Sequence, residues 1–307
     1  MAPDFSPPHG FTVNNSFTKI NYRDVYPPID PKRPELSQKG SVVLITGSSR
    51  GIGREGLAQA FALAGAKAII ITARKVESLE ETEAIIKQAN PSVEVFPVAL
   101  ELTNEAWVKA AFDAIAKKYS TIDVLVNNAA VFEADGQLLG STDKVGWWSN
   151  FEVNVKGTFL ITQAFLSQVN PDRSAHIVYL SSAAAFLTLP ANSAYSISKL
   201  AVIRLAALTA AEYPNVNAMA LHPGIVVTKG TNDFFKPYAK DTALLPGAVA
   251  NWLTSKEASF LRGRYISANW DVAELIARQD EIVHKDLLTT QLSGLDGIVA
   301  EVAEVKK

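Results

Sequence analysis

From Ser41 onward, seven short apolar runs alternate with segments of helical periodicity. The runs are SVVLIT (41–46), KAIIIT (67–72), VEVFPV (93–98), IDVLV (122–126), AHIVYL (175–180), VNAMAL (216–221) and the weaker GRYIS (263–267). A short run rich in β-branched residues marks a strand buried on both faces. Helical patterns fall between them at 53–64, 76–89, 104–119, 142–168 and 194–213. Strands alternating with helices predict an α/β fold with a parallel sheet covered on both sides. Such a fold occupies residues 41–271 as a single domain.

The flanks read differently. Residues 1–40 hold Pro3, Pro7, Pro8, Pro27, Pro28, Pro31 and Pro34. Prolines at that density exclude regular helix and central strand, so an N-terminal arm is expected. Its aromatic residues Phe5, Phe11, Phe17, Tyr22 and Tyr26 favour docking on the body. Residues 272–307 are expected to form a C-terminal helical extension. The formal net charge of −2 and pI near 6.1 give no basic face for nucleic acid. There is no cysteine, which removes disulfides, thiolate metal sites and a cysteine nucleophile. His9, His176, His222 and His284 show no metal-ligand spacing. The start lacks the charge and apolar pattern of a secretory signal, and Arg204 interrupts the longest apolar stretch. The expectation is a cytoplasmic protein acting on a small-molecule substrate, with no nucleic-acid or membrane partner and no metal.

The first apolar run leads into TGSSRGIG (46–53), and a helix pattern follows at once. Gly47 allows a turn that a Cβ would block. Gly51 lets the backbone approach a pyrophosphate, and Gly53 lets helix and strand pack closely. The free N–H groups and dipole of the helix start suit phosphates. Thr46, Gly47, Ser49, Arg50, Gly51, Ile52 and Gly53 are therefore candidate dinucleotide-binding residues. After the second run, an acidic residue would hold the ribose hydroxyls of NAD. Here stand Ala73 and Arg74, with Arg50 coming from the first loop. Guanidinium groups suit a 2′-phosphate, so NADP(H) is the expected cofactor.

YSISK (195–199) places Tyr195 and Lys199 four residues apart in a helical pattern, on one face about one turn apart. A free tyrosine titrates near 10, and a nearby ammonium would lower that value. The pair is expected to act as a proton donor and its tuner.

These motifs together resemble the short-chain dehydrogenase/reductase family over residues 41–271. TGSSRGIG resembles its cofactor loop, and NNAA (127–130) resembles the segment that lines the cofactor after the fourth strand. FEVNVKGTF carries Asn154, and Ser182 lies 13 residues before Tyr195. HPGIVVT (222–228) resembles the Pro-Gly segment beside the nicotinamide. The resemblance implies a doubly wound Rossmann fold of about seven strands in the order 3-2-1-4-5-6-7. It implies Ser182, Tyr195, Lys199 and Asn154 as catalytic residues. Ser182 would orient the substrate oxygen, and Asn154 would link Lys199 to a water chain. Lys199 would also hold the ribose. Further cofactor contacts are implied for Glu101, Leu102, Asn128, Ala129, Ala130, Pro223, Gly224, Val226 and Thr228. Ala130 replaces the usual glycine, and Glu101 the usual aspartate. After the last strand SANWD stands where an Asp-Gly-Gly ending is common. The arm and this ending are most similar to fungal members, many of them linked to secondary metabolism.

The implied activity is NADP-dependent hydride transfer between NADPH and a carbonyl or hydroxyl group. The alternatives are a dehydratase or cyclase on the same scaffold, or a cofactor-binding protein without turnover. Segments 131–148, 183–194 and 225–245 are expected to form the substrate pocket. Their Phe132, Leu138, Leu139, Trp147, Trp148, Phe186, Leu187, Leu189, Phe234, Phe235 and Tyr238 suggest a largely apolar compound, with about half of them only packing loops. Lys229, Lys236 and Lys240 are candidates for an acidic group. The helix pattern at 194–213 is apolar nearly all round. It is expected to bury its second face in a homodimer, with a homotetramer left open.

Overall fold

The computed structural model describes residues 6–133, 136–228, 231 and 233–292. Its sheet consists of β1 (Val42–Ile45), β2 (Ala68–Ala73), β3 (Glu94–Ala99), β4 (Val124–Asn127), β5 (Ala175–Leu180), β6 (Val216–His222) and β7 (Tyr265–Ser267). All neighbours are parallel, in the order β3-β2-β1-β4-β5-β6-β7. Each strand is thus one of the seven apolar runs. β1 and β4 are buried at every position, which is why they read as unbroken apolar stretches. Val43 of β1 pairs with Ile69 on one side and Val124 on the other. The strand order therefore reverses at β1, and the crevice above its carboxyl end is the place for a ligand.

The helices are α1 (Gly10–Asn14), α2 (Gln59–Leu63), α3 (Glu80–Ala89), α4 (Glu105–Lys118), α5 (Lys144–Phe151), α6 (Thr158–Leu166), α7 (Ser193–Glu212), α8 (Leu244–Leu253), α9 (Val272–Ala277) and α10 (Gln279–His284). Two wide turns are built into this set. Ile52–Ala58 leads into α2, and Glu152–Gly157 joins α5 to α6. Asn104 and Asp143 cap α4 and α5 with side-chain acceptors. α7 lays Ala194, Val202, Ile203, Ala206 and Ala210 on the core. By composition it is long and apolar enough to cross a membrane.

The arm is docked. Tyr26, Ile29 and Leu36 join the main hydrophobic core. Arg278 stacks its guanidinium 3.8 Å from the centre of the Phe17 ring. One expectation is corrected here, since the arm does hold a helical turn, α1. It fits between Pro8 and Pro27 because residues 10–14 contain no proline. The expected C-terminal extension begins with α9 and α10, and its residues 293–307 lie outside the described residues.

Candidate active site

The glycine loop and the NNAA segment are fastened together above β1 and β4. Thr46 Oγ1 accepts the N–H groups of Asn128 and Ala129 at 2.9 and 3.0 Å. Asn128 Nδ2 returns to the carbonyls of Thr46 and Gly47 at 2.8 and 3.0 Å. This close approach requires glycine. Gly47 has φ +66°, and a Cβ there would lie 2.8 Å from Ala129 Cα. A Cβ on Gly53 would stand 2.7 Å from Asn128 Nδ2 and closer still to the Gly47 carbonyl. A cradle that a single methyl group would fill, opening at a helix start, fits a dinucleotide pyrophosphate.

The loop also reaches β2. Ser48 N donates to the Thr72 carbonyl at 2.9 Å, and Thr82 Oγ1 donates to the Ser48 carbonyl at 2.7 Å. Ser48 and Thr72 each stand two residues before an arginine, so Arg50 and Arg74 leave the fold at the carboxyl ends of β1 and β2. Both are exposed, and neither makes an ion pair among the described residues. Arg54 differs, being held by Glu55 and Glu81. Ser49 and Ile52 are partly buried, and Ile52 packs on the core. Thr228 Cγ2 lies 3.2 Å from where a Cβ on Gly51 would stand, which brings the 223–228 segment over the loop. Val226 is buried there.

Glu101 and Leu102 follow β3. Glu101 turns its carboxylate onto Thr103, accepting from its N–H and hydroxyl at 3.4 and 3.2 Å. Leu102 is buried, with its Cβ 2.9 Å from where a Cβ on Gly157 would stand. It underlies the wide turn Glu152–Gly157. Ala130 is exposed and has no positive φ, so it replaces glycine without backbone strain.

Tyr195 and Lys199 enter from the first turns of α7. Lys199 Nζ lies 5.6 Å from the Tyr195 ring centre and donates to the Leu180 carbonyl at 2.8 Å. Ser181 Oγ donates to the Lys199 carbonyl at 2.9 Å, tying the end of β5 to the helix. Ser182 Oγ accepts from Ala184 N–H at 3.2 Å, which leaves its own hydrogen for the Tyr195 oxygen. Behind it, Ala183 N–H donates to His222 Nδ1 at 3.2 Å. Burial holds His222 neutral, with its pKa pulled down to about 4.

Lys199 stands one helix turn from Tyr195 as expected, and burial acts on both groups. Burial pushes the Tyr195 phenol up, against the opposing hydrogen bond with Ser182. Burial also pulls Lys199 down to about 8. The Lys199 ammonium donates to a carbonyl and is buried, and desolvation is the largest influence on both groups.

Asn154 sits inside the wide turn Glu152–Gly157, a local unwinding that often marks functional sites. Its Oδ1 accepts from Val131 N–H at 2.8 Å. Its Nδ2 donates to the Val131 carbonyl at 3.0 Å and to Ser198 Oγ at 3.1 Å. Ser198 donates to the Tyr195 carbonyl at 2.8 Å. Sequence reasoning passed over Ser181 and Ser198, although one neighbours Ser182 and the other falls inside YSISK.

On the substrate side, Phe132 meets the Tyr195 ring edge-on at 4.8 Å. Trp147 Nε1 donates to Ser193 Oγ at 3.0 Å and stacks on Phe151. A recess of about 10 Å³ at Tyr195 is lined by Glu133, Trp147 and Asn192 among others. The neighbouring Ala191 has φ +61°, a strained conformation of the kind found at ligand sites. A far larger groove, about 820 Å³, lies between the arm and the C-terminal helices on other residues, away from this chemistry. The other expected pocket residues differ in their surroundings. Phe186 packs on Tyr265, Tyr238 is buried, and Leu138, Leu139, Trp148 and Phe234 are more than half exposed. Lys236 pairs with Asp233 at 2.5 Å. Lys229 lies outside the described residues. Among those residues no cluster of metal-ligating side chains occurs.

Comparison with known proteins places the chain in a family. A family model described as short chain dehydrogenase matches residues 41–239. The short chain dehydrogenase mpl6 of Monascus purpureus is 38 % identical over 296 residues, covering 94 % of this chain and 99 % of its own. The short chain dehydrogenase pigC of Monascus ruber is 36 % identical, covering 88 % and 92 %. Among solved structures, levodione reductase superposes with a TM-score of 0.68 at 25 % identity, covering 75 % of this chain and 96 % of that one.

Proposed function

The chain belongs to the short-chain dehydrogenase family and is an oxidoreductase, and on that premise we propose that it transfers hydride between NADPH and the carbonyl or hydroxyl group of a largely apolar small molecule. The observation that carries the reading is the convergence of Ser182, Tyr195 and Lys199, with Phe132 against the tyrosine ring. The glycine cradle and the helix start behind it would hold the pyrophosphate. Arg50 and Arg74, exposed and without ion pairs, would hold a 2′-phosphate and so favour NADPH over NADH. When bound, the nicotinamide supplies or accepts the hydride.

The chain's own residues supply the rest. Ser182 bonds the substrate oxygen with the one hydroxyl hydrogen that accepting the Ala184 N–H leaves to it, the substrate oxygen taking the place of the Tyr195 oxygen as acceptor. Tyr195 gives or takes the proton at that oxygen, and a phenol kept protonated by burial starts as the acid. Lys199 is held by Leu180 with its ammonium 5.6 Å from the centre of the tyrosine ring, and it would hold the ribose hydroxyls of a bound cofactor. Asn154 and Ser198 fix the Val131 and Tyr195 backbones on either side. The fully present constellation favours redox chemistry over a dehydratase, a cyclase or a cofactor-binding protein without turnover.

A homodimer is part of this proposal. α7 exposes Ile197, Leu200 and Leu208 on one side, and α6 exposes Phe159. These rings and branches are available to bury against a second copy. NADPH oxidation measured against a panel of ketones and quinones, with Tyr195→Phe as the control, tests the activity. Absence of tyrosine-dependent oxidation across the panel would refute it.

A further inference from the structure

The arm meets the segment after β6 at two places. At the first, Arg23 Nη1 pairs with Asp241 Oδ1 at 3.0 Å, and the Asp241 side chain is fully buried. Asp241 Oδ2 accepts the Ile225 N–H at 2.5 Å, and Asn269 Nδ2 donates to Oδ1 at 2.9 Å. Next to it, Thr242 N–H donates to the Arg23 carbonyl at 2.9 Å, and Thr242 Oγ1 donates to Asp24 Oδ1 at 2.7 Å. At the second place, Phe11 packs on Phe234, Phe235 and Tyr238 at ring-centre distances of 6.2, 5.7 and 4.7 Å. The arm is itself moored by the unusual ending after β7. Tyr22 N–H donates to the Asn269 carbonyl at 2.7 Å, Asn269 Nδ2 donates to the Tyr22 carbonyl at 2.9 Å, and Tyr26 Oη donates to the Trp270 carbonyl at 3.0 Å.

A buried carboxylate is costly unless it is paired and hydrogen-bonded. Among the described residues, the cation that neutralises Asp241 comes from the arm alone. The same carboxylate fixes the Gly224–Ile225 peptide, which leads from β6 to Thr228 above the glycine loop. We propose that Arg23 is a positioning residue for the reaction, acting through Asp241 on the Gly224–Ile225 peptide, and that Phe11 holds the 233–238 turn beyond it. The arm thereby sets the wall that selects substrates by size. This inference rests on the oxidoreductase reading, and its structural half can be measured without turnover.

The test uses the full chain with Arg23→Met, Arg23→Lys, Phe11→Ala and Arg23→Met/Asp241→Asn. Hydrogen exchange is read by peptide, and kcat/KM is compared for a bulky and a small accepted ketone. In Arg23→Met, exchange over 222–241 should rise at least about tenfold, while peptides over β1 and β4 keep wild-type rates. Its kcat/KM for the bulky ketone should fall about ten- to a hundredfold, and less for the small one. Arg23→Lys and the double variant should each recover part of both effects, since each relieves the unpaired charge. Phe11→Ala should change the ratio between ketones without exposing a buried charge, and it carries the comparison if Arg23→Met does not fold. Wild-type exchange over 222–241 in both Arg23→Met and Phe11→Ala, or equal acceleration in every peptide, overturns the proposal. Failure of the wild type to oxidise NADPH with any carbonyl overturns the functional premise, and the exchange result still decides whether the arm holds this segment.

Discussion

Lys199 holds its ammonium 5.6 Å from the centre of the Tyr195 ring by donating to the Leu180 carbonyl at 2.8 Å. One strand end therefore places the charge that one helix turn supplies. Helix α7 cannot slide along the sheet without breaking that bond and the Ser181–Lys199 bond beside it. Burial favours the neutral form of both side chains, pushing the Tyr195 phenol up and pulling Lys199 down to about 8.

Tyr195→Phe keeps the ring and its edge contact with Phe132 but removes the acid. Turnover with an accepted ketone should fall by 10²–10⁴-fold, the usual worth of general acid catalysis, to an order of magnitude. NADPH affinity by fluorescence titration should persist. Lys199→Ala should lose both activity and cofactor affinity. Ser182→Ala should resemble the tyrosine variant. Near wild-type turnover in Tyr195→Phe would exclude this mechanism.

Arg74→Ala should weaken NADPH and leave NADH nearly unchanged. The wild type should prefer NADPH by at least about tenfold, equivalent to about 1.4 kcal/mol. Titration of both cofactors decides this, and equal affinities in the wild type would remove the role given to Arg50 and Arg74.

Acid should destabilise the fold through two histidines. His176 and His222 are each pulled down to about 4 by burial, below the ordinary value of 6.5. Between those values the unfolded chain binds the protons first, so stability falls as pH drops from 6.5 toward 4. Each histidine accounts for a loss on the order of 2–3 kcal/mol by pH 4.5. Asp241, whose carboxyl is raised by burial, acts in the opposite sense at the acid end. The melting temperature followed from pH 7 to 4.5 should show the decline, and His176→Leu should make it shallower. An unchanged slope in that variant would rule out the His176 contribution.

Light scattering at micromolar concentration should give the mass of a dimer. Leu208→Glu on the exposed side of α7 should shift it toward the monomer by burying a charge at the contact. A monomeric wild type would contradict the assembly.

Much of this was legible because it is local. The seven apolar runs became the seven strands, since burial on both faces leaves no room for alternation. TGSSRGIG declared a turn that only small residues permit, and the four-residue step from Tyr195 to Lys199 declared a shared helix face. The tertiary structure decided the rest. No periodicity in the chain says that Arg23 will meet Asp241, 218 positions away, or that the NWD ending serves as the mooring for the arm. Nor does spacing reveal that Lys199 turns to Leu180, or that Leu102 lies beneath Gly157. Sequence pattern reports backbone period and average burial, which depend on near neighbours. Ion pairs, desolvation and the direction of a buried proton depend on which distant atoms the packed fold brings within a few ångströms.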